Sequence, residues 1–82
     1  MVKDELELQY DKQADAIYIC LSTKKVSYTK KLDNFRYVDF ATDNTPVGVE
    51  LLYVSNGVAT GDLPFVSNII KLLETNHVRT LV

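Results

Sequence analysis

Residues 10–21 read Tyr10-Asp11-Lys12-Gln13-Ala14-Asp15-Ala16-Ile17-Tyr18-Ile19-Cys20-Leu21, and their reading decides the fold. The stretch ends one alternating run, turns, and becomes the most strongly β-patterned segment of the chain. Ile17, Ile19 and Leu21 fall on one face of a strand, and Ala16, Tyr18 and Cys20 on the other. Both faces are apolar, which places the strand in the interior of a sheet. Asp11 and Asp15 bound the turn before it, where a carboxylate can accept hydrogen bonds from nearby backbone N–H groups.

Working outward, residues 5–10 alternate Leu6, Leu8 and Tyr10 against Glu5, Glu7 and Gln9, the pattern of a strand with one wet face. Downstream, Val26 to Leu32 reads as a third strand, with Val26, Tyr28 and Leu32 on one side. A fourth runs from Phe35 to Ala41, Val38 and Phe40 inward and Phe35, Tyr37 and Asp39 outward. A fifth begins at Pro46, with Val47, Val49 and Leu51 on one face. Asp33-Asn34 and Asp43-Asn44 supply turns, because Asn tolerates the left-handed conformation. Four short connections between five strands predict an antiparallel meander, since parallel neighbours need long crossovers.

From Leu63 to Asn76 the apolar period changes to 3.6. Phe65, Val66, Ile69, Ile70, Leu72 and Leu73 share one arc, with Asp62 as the expected N-cap and Pro64 in the first turn. The fold class expected is therefore α+β: a five-stranded antiparallel meander with one C-terminal helix packed on one face. Its core face is Leu6, Leu8, Ile17, Ile19, Leu21, Val38, Phe40, Val49 and Leu51. Residues 78–82 are left open between a short strand and an irregular tail.

Eighty-two residues make one expected domain, 1–82, and 46% hydrophobic residues suffice for a core without a disulfide or metal. One cysteine excludes an internal disulfide, and no Cys/His cluster suggests zinc. A reducing, cytoplasmic setting is expected, with no leader-like N-terminus and no apolar run near the ~20 residues of a membrane span. The net charge of −2 speaks against electrostatic binding of nucleic acid. Lys24, Lys25, Lys30, Lys31 and Arg36 do cluster around Asp33; they read as guards of a sheet edge or as a dock for an acidic partner.

The motif running from Tyr10-Asp11 through Ala14-Asp15-Ala16-Ile17-Tyr18-Ile19 to Leu21 is followed by Val38-Asp39-Phe40 and Gly48-Val49-Glu50-Leu51-Leu52. Together, over residues 6–56, these resemble the small prokaryotic family of unknown function 2283 (DUF2283). The resemblance implies a small antiparallel sheet with a helix, no assigned activity, and antitoxin-like binding of a toxin-like protein partner. Three positions depart from the family pattern: Cys20 in place of an arginine, Gln13 of an acidic residue, and Thr45 of a glycine. A binding role for that arginine is thus not carried over to this chain.

Two function classes follow from the residues. In the first the chain is a protein-interaction module and not an enzyme. Ala16, Tyr18, Cys20, Phe35, Tyr37 and Leu52 all point away from the helix, and bare they would form an apolar patch of a size monomers seldom carry. The interface expected is Tyr18, Cys20, Phe35, Tyr37 and Leu52, in a homodimer, with Asp39 and Glu50 at its margin. The alternative is a small enzyme or a ligand or cation binder using Asp39, Glu50 and the tyrosines as a polar site. No catalytic residue, metal or cofactor is assigned. Cys20 reads as an inert buried thiol, and His77 as a residue that helps end the helix through its charge.

Overall fold

The computed structural model describes residues 2–81, and the side chains of residues 6–81. Five strands form one antiparallel sheet: β1 (Val2–Asp11), β2 (Ala16–Ser22), β3 (Tyr28–Asp33), β4 (Arg36–Phe40) and β5 (Pro46–Leu52). A 3₁₀ turn follows at Val54–Asn56, then β6 (Val58–Ala59), the helix α1 (Val66–Thr75) and β7 (Thr80–Leu81). The chain is α+β, five antiparallel strands and one helix, as the periodicities predict.

The strand order is β1-β2-β5-β4-β3, so the connectivity is not a single meander. A β1–β2 hairpin and a β3-β4-β5 meander join through β2 and β5. Read from the C-terminal side, β5, β4, β3 and β2 have the order of a Greek key. Residues 23–27 carry the chain from β2 to the far edge, about 14 Å at the usual strand spacing. Five extended residues span about 16–18 Å, so a short link suffices without making its flanking strands neighbours. This placement puts β2 and β5 inside the sheet, each hydrogen-bonded to a neighbouring strand on both edges.

Ile17, Ile19, Leu21, Val38, Val49 and Leu51 are buried on one face against Ile69 and Leu73 of α1, with Leu6, Leu8 and Phe40 packed half-buried around them. Val54, Val58, Leu63 and Val78 join the same cluster, so the segments flanking the helix also lie on this side. Val26 stands outside β3 and is exposed. Of the two Asn-containing turns, only Asn44 takes the left-handed conformation, at φ 68°. In the other, the Asp33 carboxylate accepts from the Phe35 N–H.

The helix begins later than its apolar period does. Asp62 is not its N-cap; that position is Phe65, left-handed at φ 52° and without a side-chain cap. Pro64 is the reason, because it bars its predecessor from the helical region, and Leu63 instead buries its side chain in the core. Phe65 and Val66 are consequently exposed, and the buried stripe narrows to Ile69 and Leu73. The other end closes by backbone geometry. His77 at φ 60° donates its N–H to Glu74, and Val78 donates to Leu73, which is a Schellman motif. His77 thus helps end the helix, and it does so through its left-handed backbone. The chain then returns as β7, pairing parallel with β6.

Candidate functional site

The register arranges the open face, the one away from α1, as a grid. One row crosses the sheet as Gln9, Tyr18, Glu50, Tyr37 and Lys31, and the next as Glu7, Cys20, Gly48, Asp39 and Thr29. A third row contains Asp11, Ala16 and Leu52, with the Leu52 N–H bonded to the Phe35 carbonyl. Tyr18, Cys20, Tyr37 and Leu52, all expected at an interface, therefore lie on this side, and Phe35 stands at its end, just before β4. Tyr18, Cys20, Tyr37 and Leu52 are half-buried, and Phe35 is 51% exposed.

One position differs from expectation. Glu50 is exposed in the middle of the face, because β5 is central and not marginal. Cys20 is half-buried on the open face, where strand parity places it.

Tyr18 does not stand up from the sheet. Its ring lies across β5 over Gly48, and its hydroxyl donates to Asp39 Oδ2 at 2.8 Å on β4. A Cβ at position 48 would come 1.9 Å from the Tyr18 Oη, so only glycine leaves room for the phenol. Thr29 of β3 donates to the other oxygen, Asp39 Oδ1. Three strands, β2, β4 and β3, are thus tied by one carboxylate, across the intervening β5. Burial, and then the bond to Asp39 and its negative charge, push the Tyr18 phenol well above its ordinary pKa.

This geometry bears on the polar site. Asp39 and Glu50 share a face on adjacent strands, but Asp39 sits opposite Gly48, and both of its oxygens already accept hydroxyl protons. A cation would have to displace them. Among the described residues, no group of three or more His, Cys, Asp or Glu side chains is placed to hold a metal ion.

Asp15 forms a second latch. At φ 55° it closes the β1–β2 turn, and its carboxylate accepts from the N–H and hydroxyl of Ser55 at 2.9 and 2.6 Å. Asp11 caps the same turn at the Ala14 N–H. The two aspartates of the Tyr10-Asp11 motif thus both hold the hairpin, Asp15 against the 3₁₀ turn after β5.

Two hollows adjoin the face. Beside Tyr18 and Glu50, and reaching Gln9, Asp11, Ala16 and Leu52, lies an open depression of about 470 Å³. At the end of β4 and β5, Phe35 and Tyr53 meet edge to face at 5.6 Å over a smaller cleft of about 160 Å³, closed on its far side by Leu81. That volume falls short of the ~300–1,000 Å³ typical of small-molecule sites. The basic cluster is dispersed: Lys24 pairs with Asp43, and Arg36 binds Asp33 and the carbonyls of Ala59 and Gly61. Backbone N–H donation by Phe35, followed by the Arg36 guanidinium, holds the Asp33 carboxyl below its usual range.

A family profile described as a protein of unknown function (DUF2283) matches residues 7–55, well over half of the chain. The chain belongs to that family. The DUF2283 match takes in all but the start of the sheet, the Tyr18–Gly48–Asp39 arrangement and the Asp15–Ser55 latch; α1, β6 and β7 lie beyond it. No curated protein and no solved structure matches the chain.

The aromatic, half-buried character of the open face was readable from strand parity. Gly48, Thr29 and the Asp15–Ser55 contact were not singled out. A glycine inside a strand is a signal of close approach by another group, and it points to Gly48. Nothing local connects Asp15 with a serine forty positions later.

Proposed function

We propose that this DUF2283 chain is a protein-interaction module that self-associates through the open face of its sheet. The observation that carries the reading is the one-sided architecture. The helix and the segments flanking it pack on the Ile19 face, while Ala16, Tyr18, Cys20, Tyr37 and Leu52 have no second layer over them among the described residues. Tyrosines suit such a contact, because the ring can be buried while the hydroxyl keeps a polar partner. The described part of the tail does not compete for this face, since Val78 is in the core and Thr80–Leu81 pair with β6.

The polar-site alternative is the weaker reading, because Asp39 is engaged by Tyr18 and Thr29. No helix of the described residues is long and apolar enough to cross a membrane. Sedimentation of the purified chain from ten to several hundred micromolar tests the proposal. A concentration-dependent dimer is expected, and Tyr37→Glu should shift it to monomer with little change in melting temperature. A wild-type chain that stays monomeric throughout refutes the reading.

A further inference from the structure

A two-fold contact between identical faces must be self-complementary, residue i meeting j while j meets i. Two orientations are available to sheets packed face to face. With the axis perpendicular to the strands, each strand lies over its own copy. With that axis through the Glu50 row, Glu50 approaches Glu50 of the second copy and Lys31 approaches Lys31. With it between that row and the next, Glu50 faces Gly48 and Lys31 faces Thr29, which pairs neither charge with an opposite one. With the axis parallel to the strands and between β4 and β5, the order β2-β5-β4-β3 meets its own reverse.

The second orientation matches chemistry row by row. Along the row Tyr18, Glu50, Tyr37 and Lys31, Glu50 falls opposite Tyr37 of the second copy, a carboxylate facing a phenolic O–H. Leu52 falls opposite Phe35 one row away, apolar on apolar. Lys31 comes to lie above β2 of its partner, one strand spacing (about 4.8 Å) from Glu50. That is where the open depression of about 470 Å³ lies, with Asp11 and Glu50 among its lining. The depression exists because the Tyr18 ring leans away, over Gly48. A twist of about 30° between the sheets leaves these pairings intact near the axis.

The geometry points to a specific dimer, in which Lys31 of each copy enters the acidic depression beside Glu50 of the other, about a two-fold axis parallel to the strands. This rests on the proposed self-association through the open face and adds its orientation. Four strands and three rows make a contact of roughly 400 Å² per copy in plan, about 800 Å² in total, below the ~1,200–2,000 Å² of stable specific complexes, so a weak, concentration-dependent dimer is the expectation.

Charge reversal tests the orientation. Lys31 and Glu50 are both exposed, so their variants should keep the wild-type melting temperature. Each pair occurs twice about the axis. If one exposed pair changes affinity about threefold, Lys31→Glu or Glu50→Lys should each weaken the dimer about tenfold. The double variant Lys31→Glu/Glu50→Lys should recover wild-type affinity to within about threefold. A wild-type dimer that neither single reversal weakens, or that the double does not restore, overturns the orientation while leaving the open-face contact standing. A wild-type monomer overturns both.

Discussion

Replacing Gly48 by alanine isolates the arrangement on the open face. Gly48 is not among the residues with positive φ, so alanine meets no backbone strain there. The obstacle is the Tyr18 phenol, 1.9 Å from the added Cβ at its oxygen and 2.3 Å at Cζ. No contact that short survives, so the ring must swing off and release Asp39. A hydrogen bond to a charged group is worth ~1.5–3 kcal/mol. Here both partners lie near solvent and regain water, so about 1–2 kcal/mol is the reasonable loss. Against this, alanine is favoured over glycine in a strand by ~0.5–1 kcal/mol. The net expectation is about 1 kcal/mol of destabilisation, a fall of ~4–8 °C in Tm for a chain of this size. Urea unfolding with an unchanged m-value would measure it. The decisive comparison is the Tyr18→Ala background. With no ring to displace, Gly48→Ala should become stabilising by ~0.5–1 kcal/mol. If alanine destabilises both backgrounds equally, the Tyr18 ring is not what reserves position 48 for glycine.

The same hydroxyl gives stability an alkaline signature. The folded chain holds the Tyr18 proton more tightly than the unfolded one, where the ordinary pKa is about 10. The contribution is therefore complete below about pH 10 and is lost as pH rises toward the higher folded value. Tyr18→Phe should abolish that part of the alkaline decline, and a variant profile parallel to wild type through this range would contradict the assignment. On the opposite face, Ile19 and Ile69 are both fully buried in one cluster. Truncating either to alanine should cost ~2–5 kcal/mol, read by chemical denaturation, and a wild-type-like midpoint for both would dismiss the packing of α1 on the sheet.

Legibility in the sequence followed the range of the interaction. Strand parity and helical period depend on residues two to four apart, so the core face, the open face and the helix stripe could be read directly. The strand order could not. A five-residue link fits a hairpin neighbour or a reach across two strands, and only the pairing of Ile17, Ile19 and Tyr18 with Leu51, Val49 and Glu50 distinguishes them. The helix start was misplaced because Asp62 has the right side chain for a cap, while Pro64 controls where the backbone can begin to turn. The Schellman closure at His77 rests on its left-handed backbone, which no periodicity announces. At the helix start a side-chain argument yielded to a backbone constraint two residues away. The Tyr18–Asp39 and Asp15–Ser55 contacts span 21 and 40 positions and leave no periodic trace.

Gly48 also ties the fold to the proposed contact. An upright Tyr18 would fill the space above β2, where the depression beside Glu50 now lies, and would leave Asp39 to water. Lying flat, the ring closes the gap over β5 and keeps the acidic hollow open. The two consequences cannot be separated, because one torsional choice of one side chain produces both. If Lys31 of a second copy enters that hollow, Gly48→Ala removes its receptor as well as the internal hydrogen bond. Its effect on association should then exceed what a loss of about 1 kcal/mol in stability could cause, since a chain so destabilised remains almost wholly folded at 25 °C. A stability defect alone would leave the dimer intact. A displaced ring would not.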